Sequence, residues 1–341
     1  MKIHKPRLPF KILFFLIFFI VFASGCKHSK NEVVVYNTVD NVFSEPILQD
    51  FEKKTGIKVR AVFDTEETKS TGILNRIIAE SDHPQCDVFW SGDPIRAQVL
   101  KRRNLLAIYK SPAIEDIDKQ FLDPDGQWTG FSARARVLIY NKNLMQQELA
   151  PHSVFDLTKI QYKGKVAIGN PLFGTTSFHI AAIFSVLGDE AGKLFMENLK
   201  ANGIVIAAGN GDVKKMVLNG EIPCGLTDTD DAFGALESGA PIGIIYLDQD
   251  SLGTLIMPNT LSLIKNSPNQ ENGKKLIDFL LSRETEARLA VSCAQMPLHS
   301  AVKTPDCLPS VQSIKAMNID YSTAAIKLEE IQLFLKKWIE N

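Results

Sequence analysis

The stretch Val33–Gly56, "VVVYNTVDNVFSEPILQDFEKKTG", reads as an apolar strand, a polar turn and an amphipathic helix. The same phrase recurs in "KVRAVFDTEETKSTGILNRIIAES" from Lys58, "CDVFWSGDPIRAQVLKRRN" from Cys86 and "KVAIGNPLFGTTSFHIAAIFSVLG" from Lys165. It returns in "IVIAAGNGDVKKMVLNGE" from Ile204 and "CGLTDTDDAFGALESG" from Cys224. Short apolar runs alternating with segments of helical spacing indicate parallel βα units. The segments share an architecture and are not sequence repeats. The expected fold class is α/β.

Two segments have a different texture. "GQWTGFSARARVLIYNKNLM" carries Arg134 and Arg136 and then the strand-like run Val137–Tyr140. "GIIYLDQDSLGTLIMPNTLSLIKNSPN" has two apolar runs separated by a polar turn. Each is expected to cross between two lobes, so that two hinge strands join them. The chain closes on "STAAIKLEEIQLFLKKWIEN", an amphipathic helix with Ile326, Ile331, Leu335 and Trp338 on its apolar face.

The N-terminus is a targeting segment. Lys2, Lys5, Arg7 and Lys11 precede the unbroken apolar run Ile12–Ala23. That run is too short for a membrane span, which needs about 20 apolar residues, and it suits a secretory signal over residues 1–25. "ASGC" ends it at Cys26, and "SKNE" (Ser29–Glu32) follows as a polar tether within 26–32. The whole chain has 38 basic and 39 acidic residues, and the leader holds only basic ones. The exported remainder is therefore mildly acidic, which argues against nucleic acid or an anionic bilayer surface as a partner. With 45% hydrophobic residues in 341, the chain is long enough for two lobes. The expected lobes are 33–136 with about 250–299, and 137–249 with about 300–341.

Of the remaining cysteines, Cys86 and Cys224 sit beside apolar runs as small buried groups. Cys293 and Cys307 lie in a polar, proline-containing region, where an oxidising compartment permits a disulfide between them. No CxxC and no Cys/His spacing suggests structural zinc, and His152, His179 and His299 stand isolated.

In open parallel sheets, ligands bind outside the carboxyl ends of the strands, where the next helices begin with unpaired N–H groups and partial positive charge. The turns at those places are rich in polar groups. They include Asn37, Thr38 and Asp40; Asp64, Thr65, Glu66, Glu67 and Thr68; Ser91 and Asp93; Gly174, Thr175, Thr176 and Ser177; Asn210 and Asp212; and Thr227–Asp231. Capping explains one such residue per turn, not clusters of three to five. In the last turn Asp228 or Thr229 serves as the cap, which leaves Asp230 and Asp231 for a ligand.

The lipobox-like "ASGC", "VVVYNTVDNVFSEPILQDFEKKTGIKV", "CDVFWSGDP", "ARARVLIYN", "GLTDTDDAFGALESG", "GTLIMPNTLSLIKNSPN" and "AQMPLHSAV" occur in order. Together they resemble the extracellular solute-binding proteins of the ferric-iron type, from Val33 to about Val302. These are receptor components of bacterial ABC importers. The resemblance implies a two-lobed type II periplasmic-binding fold, each lobe a mostly parallel sheet flanked by helices. It also implies a monomeric, extracytoplasmic lipoprotein anchored through Cys26 alone, with permease and ATPase subunits as partners and no resident cofactor.

It further implies Fe³⁺ as a transported ligand. The metal-binding tyrosine pair of that family falls here at Asp230–Asp231, its histidine at Asp40 and its glutamate near Gly92 or Asp93. Carboxylates are hard oxygen ligands, so Asp230 and Asp231 remain candidate metal donors. Tyr246 is the nearby tyrosine that could substitute, its alternative being a hinge packing residue. The family's anion turn matches "FGTTSFH", where Gly174, Thr175, Thr176 and Ser177 open a helix. Arg136, and second to it Arg134, offers a bidentate partner.

The candidate ligand set is thus Thr38, Asp40, Glu66, Asp93, Arg136, Gly174–Ser177, Asp230, Asp231 and Tyr246. It suits either a metal with a synergistic anion or one organic solute, a phosphorylated sugar or an aminoalkylphosphonate. A sensor lipoprotein without transport uses the same scaffold. Catalysis is disfavoured: the chain has no G-x-S-x-G elbow, P-loop or GxGxxG after a strand. Adjacent aspartates at one helix start also seldom straddle a substrate bond.

Overall fold

A computed structural model describes residues 31–64 and 70–340. The signal segment, Cys26 and Glu66 lie outside the described residues. The strands are β1 (Glu32–Asn37), β2 (Lys58–Phe63), β3 (Val88–Ser91), β4 (Leu106–Ala107), β5 (Thr129–Asn141), β6 (Val166–Gly169), β7 (Val205–Ala207), β8 (Cys224–Asp228), β9 (Ile242–Ile245) and β10 (Ile256–Ile264).

The helices between β1 and β6 are α1 (Asn41–Thr55), α2 (Thr71–Ala79) and α3 (Pro94–Arg102). Next come α4 (Gly174–Leu187), α5 (Asp189–Ala201), α6 (Asn210–Leu218) and α7 (Thr229–Glu237). The last four are α8 (Gln270–Leu280), α9 (Arg283–Cys293), α10 (Tyr321–Glu330) and α11 (Gln332–Glu340). Each of the six βα phrases is present.

The opening phrase shows why. Val33 and Val35 of β1 are fully buried, because a parallel strand is covered on both faces. Helix α1 turns Ile47, Leu48 and Phe51 into the same core. It ends where Gly56 takes φ 70° and donates its N–H to the Glu52 carbonyl, with Lys53 and Lys54 in the last turn. Only glycine enters that left-handed cap without steric cost.

The strand order is β2-β1-β3-β10-β5-β8-β6-β7, with β4 on β10 and β9 on β5. Two parallel runs, β2-β1-β3 and β8-β6-β7, flank the antiparallel strands β10 and β5. Strand β5 joins the two lobes. Its first half pairs with β10 as far as Ala135–Ile256, and its second half pairs with β8 from Arg136–Asp228 onward. The other crossing differs from the expected continuous strand. Strand β9 stays on β5, β10 stays beside β3, and a non-strand segment, 246–255, runs between them.

The C-terminal helix is also two helices, α10 and α11, broken at Ile331. Leu335 and Trp338 are buried and Ile326 is half-buried. Trp338 donates its indole N–H to the Met196 carbonyl of α5 at 2.9 Å, on the β8 side. Helix α10 packs on both α3 and α4, however, so the C-terminal segment is not confined to the second lobe. Glu329 takes Arg102 at the end of α3 and Arg103 just after it, while Lys327 pairs with Asp189 of α5.

The expected disulfide is absent. Cys293 and Cys307 are free thiols. Cys293 points from α9 into the core, its Sγ 3.1 Å from the Leu289 carbonyl, while Cys307 is exposed in a loop. Their sequence spacing allowed a bridge, but the helix face that carries Cys293 turns it inward.

Candidate functional site

The polar turns from both sides of β5 meet at one cleft. From the β1–β3 side come Thr38, Asp40, Ser70, Gly92 and Asp93. From the β6–β8 side come Gly169, Asn170, Phe173–Thr176, Ala208–Gly211, Asp228, Asp230 and Asp231. Arg134 of β5 lies between them. Among the sequence candidates, Thr38, Asp40, Asp93, Gly174, Thr175, Thr176, Asp230 and Asp231 all line the cleft.

Arg136, Ser177 and Tyr246 do not line it. Arg136 is 1% exposed and lies behind the wall. Its Nη1 donates to Asp228 Oδ1 at 2.9 Å and Asn210 Oδ1 at 2.8 Å, and its Nη2 donates to Thr176 Oγ1 at 2.9 Å. Ser177 is fully buried and bonds backward, to the Gly174 carbonyl at 2.7 Å. Tyr246 is half-buried and packs against the core on the β9 side. Its hydroxyl is a buried group without a partner among the described residues, and burial raises its pKa well above the ordinary phenol value.

Arg134 is the arginine of the cleft. It and Arg136 point to one side of β5, but the strand changes partner between them. The first therefore emerges in the gap and the second beneath the β8 half. Arg134 Nη2 donates to the Gly92 carbonyl at 2.6 Å, and Nη1 lies 3.4 Å from both Asp228 Oδ2 and Asp230 Oδ2. A Cβ at Gly92 would stand 3.0 Å from Arg134 Nη2, so a larger residue there would press on the guanidinium. Burial works against this guanidinium's charge, but Asp230, Asp228, Asp40 and Asp93 outweigh it and raise its pKa.

Asp228 is the hub that sequence reasoning set aside as a cap. It stands at the N-cap position of α7 but makes no side-chain cap bond. Its carboxylate instead accepts from Arg136, from Thr175 Oγ1 at 2.8 Å and from Asn210 Nδ2 at 2.9 Å. Burial opposes its ionisation, yet Arg136 and Arg134 overcome this and hold its pKa below the ordinary value. The two hydroxyls of the α4 turn are thereby fixed. Thr175 donates to Asp228, and Thr176 accepts from Arg136.

The remaining aspartates divide by partner. Asp93 caps α3 by accepting from Arg96 N at 3.1 Å and pairs with the Arg96 guanidinium. Asp231 accepts from Lys214 Nζ at 2.7 Å and Thr227 Oγ1 at 3.0 Å. Asp230 accepts from the Asp231 N–H at 3.0 Å and otherwise has only the long contact to Arg134. Its pKa is raised to about 7, first by burial and then by Asp231, Asp228 and Asp40, against the pull of Arg134. Asp230 is thus a half-buried carboxyl whose basic neighbour, Arg134, stands no nearer than 3.4 Å.

The other face of the cleft suits an anion. Helices α4 and α6 both begin there, and their first N–H groups have no intrahelical acceptor. Small residues at Gly174 and Gly209–Gly211 leave room for close approach to those backbones. The glycine-rich start of α6 is visible in "AAGNGD", of which only Asn210 and Asp212 stood among the polar turn residues.

Among the described residues the lining contains no tyrosine, histidine, cysteine or glutamate. Among the described residues no group of three or more His, Cys, Asp or Glu is arranged to hold a metal ion. His179 lies buried beneath the α4 turn, and burial together with Arg136 lowers its pKa to about 3. His299 is bound to Asp116 at 2.6 Å, away from the cleft.

Comparison with known proteins agrees with this architecture. The chain is 28% identical over 325 residues to a putative 2-aminoethylphosphonate-binding periplasmic protein of Salmonella paratyphi A, covering 93% of this chain and 90% of that one. It is 26% identical over 292 residues to iron uptake protein A1 of Synechocystis, covering 82% and 78%. The iron-bound HitA structure from Pseudomonas aeruginosa superposes with a TM-score of 0.82 at 21% identity, covering 89% of this chain and 99% of that one. That likeness shows the fold. The model of one family, described as bacterial extracellular solute-binding protein, matches residues 47–310. With its two lobes, its polar interlobe cleft and that match, the chain belongs to the bacterial extracellular solute-binding proteins.

Proposed function

We propose that the cleft captures a small zwitterion of the aminoalkylphosphonate class and delivers it to an ABC permease. One observation carries this reading. Arg134 and the starts of α4 and α6 stand beside Asp230, a half-buried carboxyl whose contact to Arg134 is long, at 3.4 Å. A phosphonate fits the first group and an ammonium fits the second. The 28% relative named for 2-aminoethylphosphonate supports the same class.

Iron fits less well. Asp231 is engaged by Lys214 and Asp93 by Arg96, and a trivalent ion at Asp230 would stand against the Arg134 guanidinium. Mass spectrometry of the purified, non-denatured protein tests the reading through the solute that co-purifies. A small organophosphonate is expected. Retained Fe³⁺ would overturn the reading, and a sugar phosphate would keep the anion end while replacing the amine.

In this account the lobes comprise 33–136 with about 250–299, and 137–249 with about 300–341 shared by both. They close over the solute by bending at β5 and at 246–255. The protein works outside the cytoplasm as a monomer tethered by lipid on Cys26, beside its permease and ATPase subunits. Scattering that showed no compaction with a solute proven to bind would refute the closure.

A further inference from the structure

We infer that Arg96 is a positioning residue: from one lobe it holds the first turn of α4 in the other, coupling the anion end of the cleft to lobe closure. The inference rests on the cleft being the solute site, not on which solute it takes. Arg96 is fully buried in the first turn of α3, on the β3 side. One arm of its guanidinium, Nη1, pairs with Asp93 of its own cap. That pairing neutralises its charge within one lobe. The other arm leaves the lobe: Nη2 donates to Ser177 Oγ at 2.8 Å and lies 3.4 Å from the Gly174 carbonyl, both on α4.

Ser177 Oγ in turn donates to the Gly174 carbonyl at 2.7 Å. Arginine, serine and carbonyl therefore form one closed set across the lobe boundary. Gly174, at φ 55°, is the residue on which the α4 turn pivots, and it lines the cleft with Thr175 and Thr176. Asp93, at the other end of the arginine, lines it from the opposite side. Separating the lobes would break both bonds to α4 and hand the Nη2 donor to water. Such a contact favours the closed arrangement and fixes where the α4 N–H groups point. Lysine cannot reproduce it, because a point charge cannot serve Asp93 and Ser177 as a planar fork does.

Hydrogen exchange of the solute-free protein tests this without depending on solute identity. In Arg96→Lys the amides of 177–180, whose hydrogen bonds close the first turn of α4, should exchange at least about tenfold faster, while those of α8, remote from the cleft, stay unchanged. Ser177→Ala, which leaves the Asp93–Arg96 pair intact, should give a smaller acceleration at the same amides. The double variant should exceed Arg96→Lys by little, because both act through one contact. Titration with 2-aminoethylphosphonate should then show a weaker complex whose loss lies mainly in faster release. Uniform acceleration across the protein, or unchanged 177–180 amides in both single variants, would overturn the inference. If Arg96→Lys does not fold, Ser177→Ala decides. Failure of the wild type to bind 2-aminoethylphosphonate would refute the solute assignment, while the exchange result would still judge Arg96.

Discussion

Replacing Arg136 by methionine isolates what holds the cleft wall together. The side chain is 1% exposed, so methionine fills much of its volume, and the change is chiefly one of charge and hydrogen bonding. Asp228, 2% exposed, would lose its 2.9 Å partner and keep Thr175, Asn210 and the long 3.4 Å contact to Arg134. Breaking a buried pair from one side costs about 3–5 kcal/mol. Arg134 remains nearby, which puts the expected loss at the lower end, about 3 kcal/mol. For a chain of this length each kcal/mol moves Tm by about 2 °C, so a fall of roughly 6 °C is expected.

The pH dependence gives a second handle. In the wild type Asp228 has a lowered pKa, so its contribution is present above the ordinary carboxylate value and is lost as pH falls through the lower folded one. Without Arg136 burial prevails and the folded pKa rises. The variant's deficit should therefore shrink between pH 7 and pH 4, where the stranded carboxyl takes up a proton. Urea unfolding of Arg136→Met, Asp228→Asn and the double variant at both pH values measures this. The double variant should be more stable than Arg136→Met at pH 7. A single-variant loss under about 1 kcal/mol, or no recovery on adding Asp228→Asn, would refute the reasoning.

Asp230 should show the opposite sign. Its folded pKa of about 7 exceeds its unfolded value, so the solute-free protein loses stability as pH rises from about 4 past 7. Asp230→Asn should remove that loss and stabilise the protein relative to wild type at pH 8 more than at pH 5; equal effects at both would count against it. A thiol assay of the folded protein should find Cys307 reactive and Cys86, Cys224 and Cys293 protected, whereas a reducible Cys293–Cys307 bridge would contradict the structure. Gly243→Ala would place a Cβ 2.2 Å from the Tyr140 ring, and overpacking of that kind should cost about 2 kcal/mol or more in chemical unfolding.

The βα units were legible because each apolar run and helix carries its own period, and the turns were legible because ligand chemistry collects at strand ends. What the sequence left open depended on neighbours far along the chain. Arg134 and Arg136 share a strand face, and only the change of partner at Ala135 puts the first in the cleft and the second under it. Asp228 looked like a cap because it precedes a helix; Arg136, its register partner on β5, draws the carboxylate away. Arg96 sat inside an ordinary helix start, with no local sign that one arm of its guanidinium would reach α4. Tyr246 had the right type in roughly the right place, but it faces the β9 side.

The central claim is that the cleft takes a phosphonate and an amine together. Calorimetric titration of the purified chain with 2-aminoethylphosphonate, ethylphosphonate and ferric citrate tests it most directly. Tight binding of 2-aminoethylphosphonate is expected, with ethylphosphonate weaker by at least about tenfold for want of an ammonium opposite Asp230, and no comparable heat from iron. Tight binding of iron with no response to either phosphonate would contradict it.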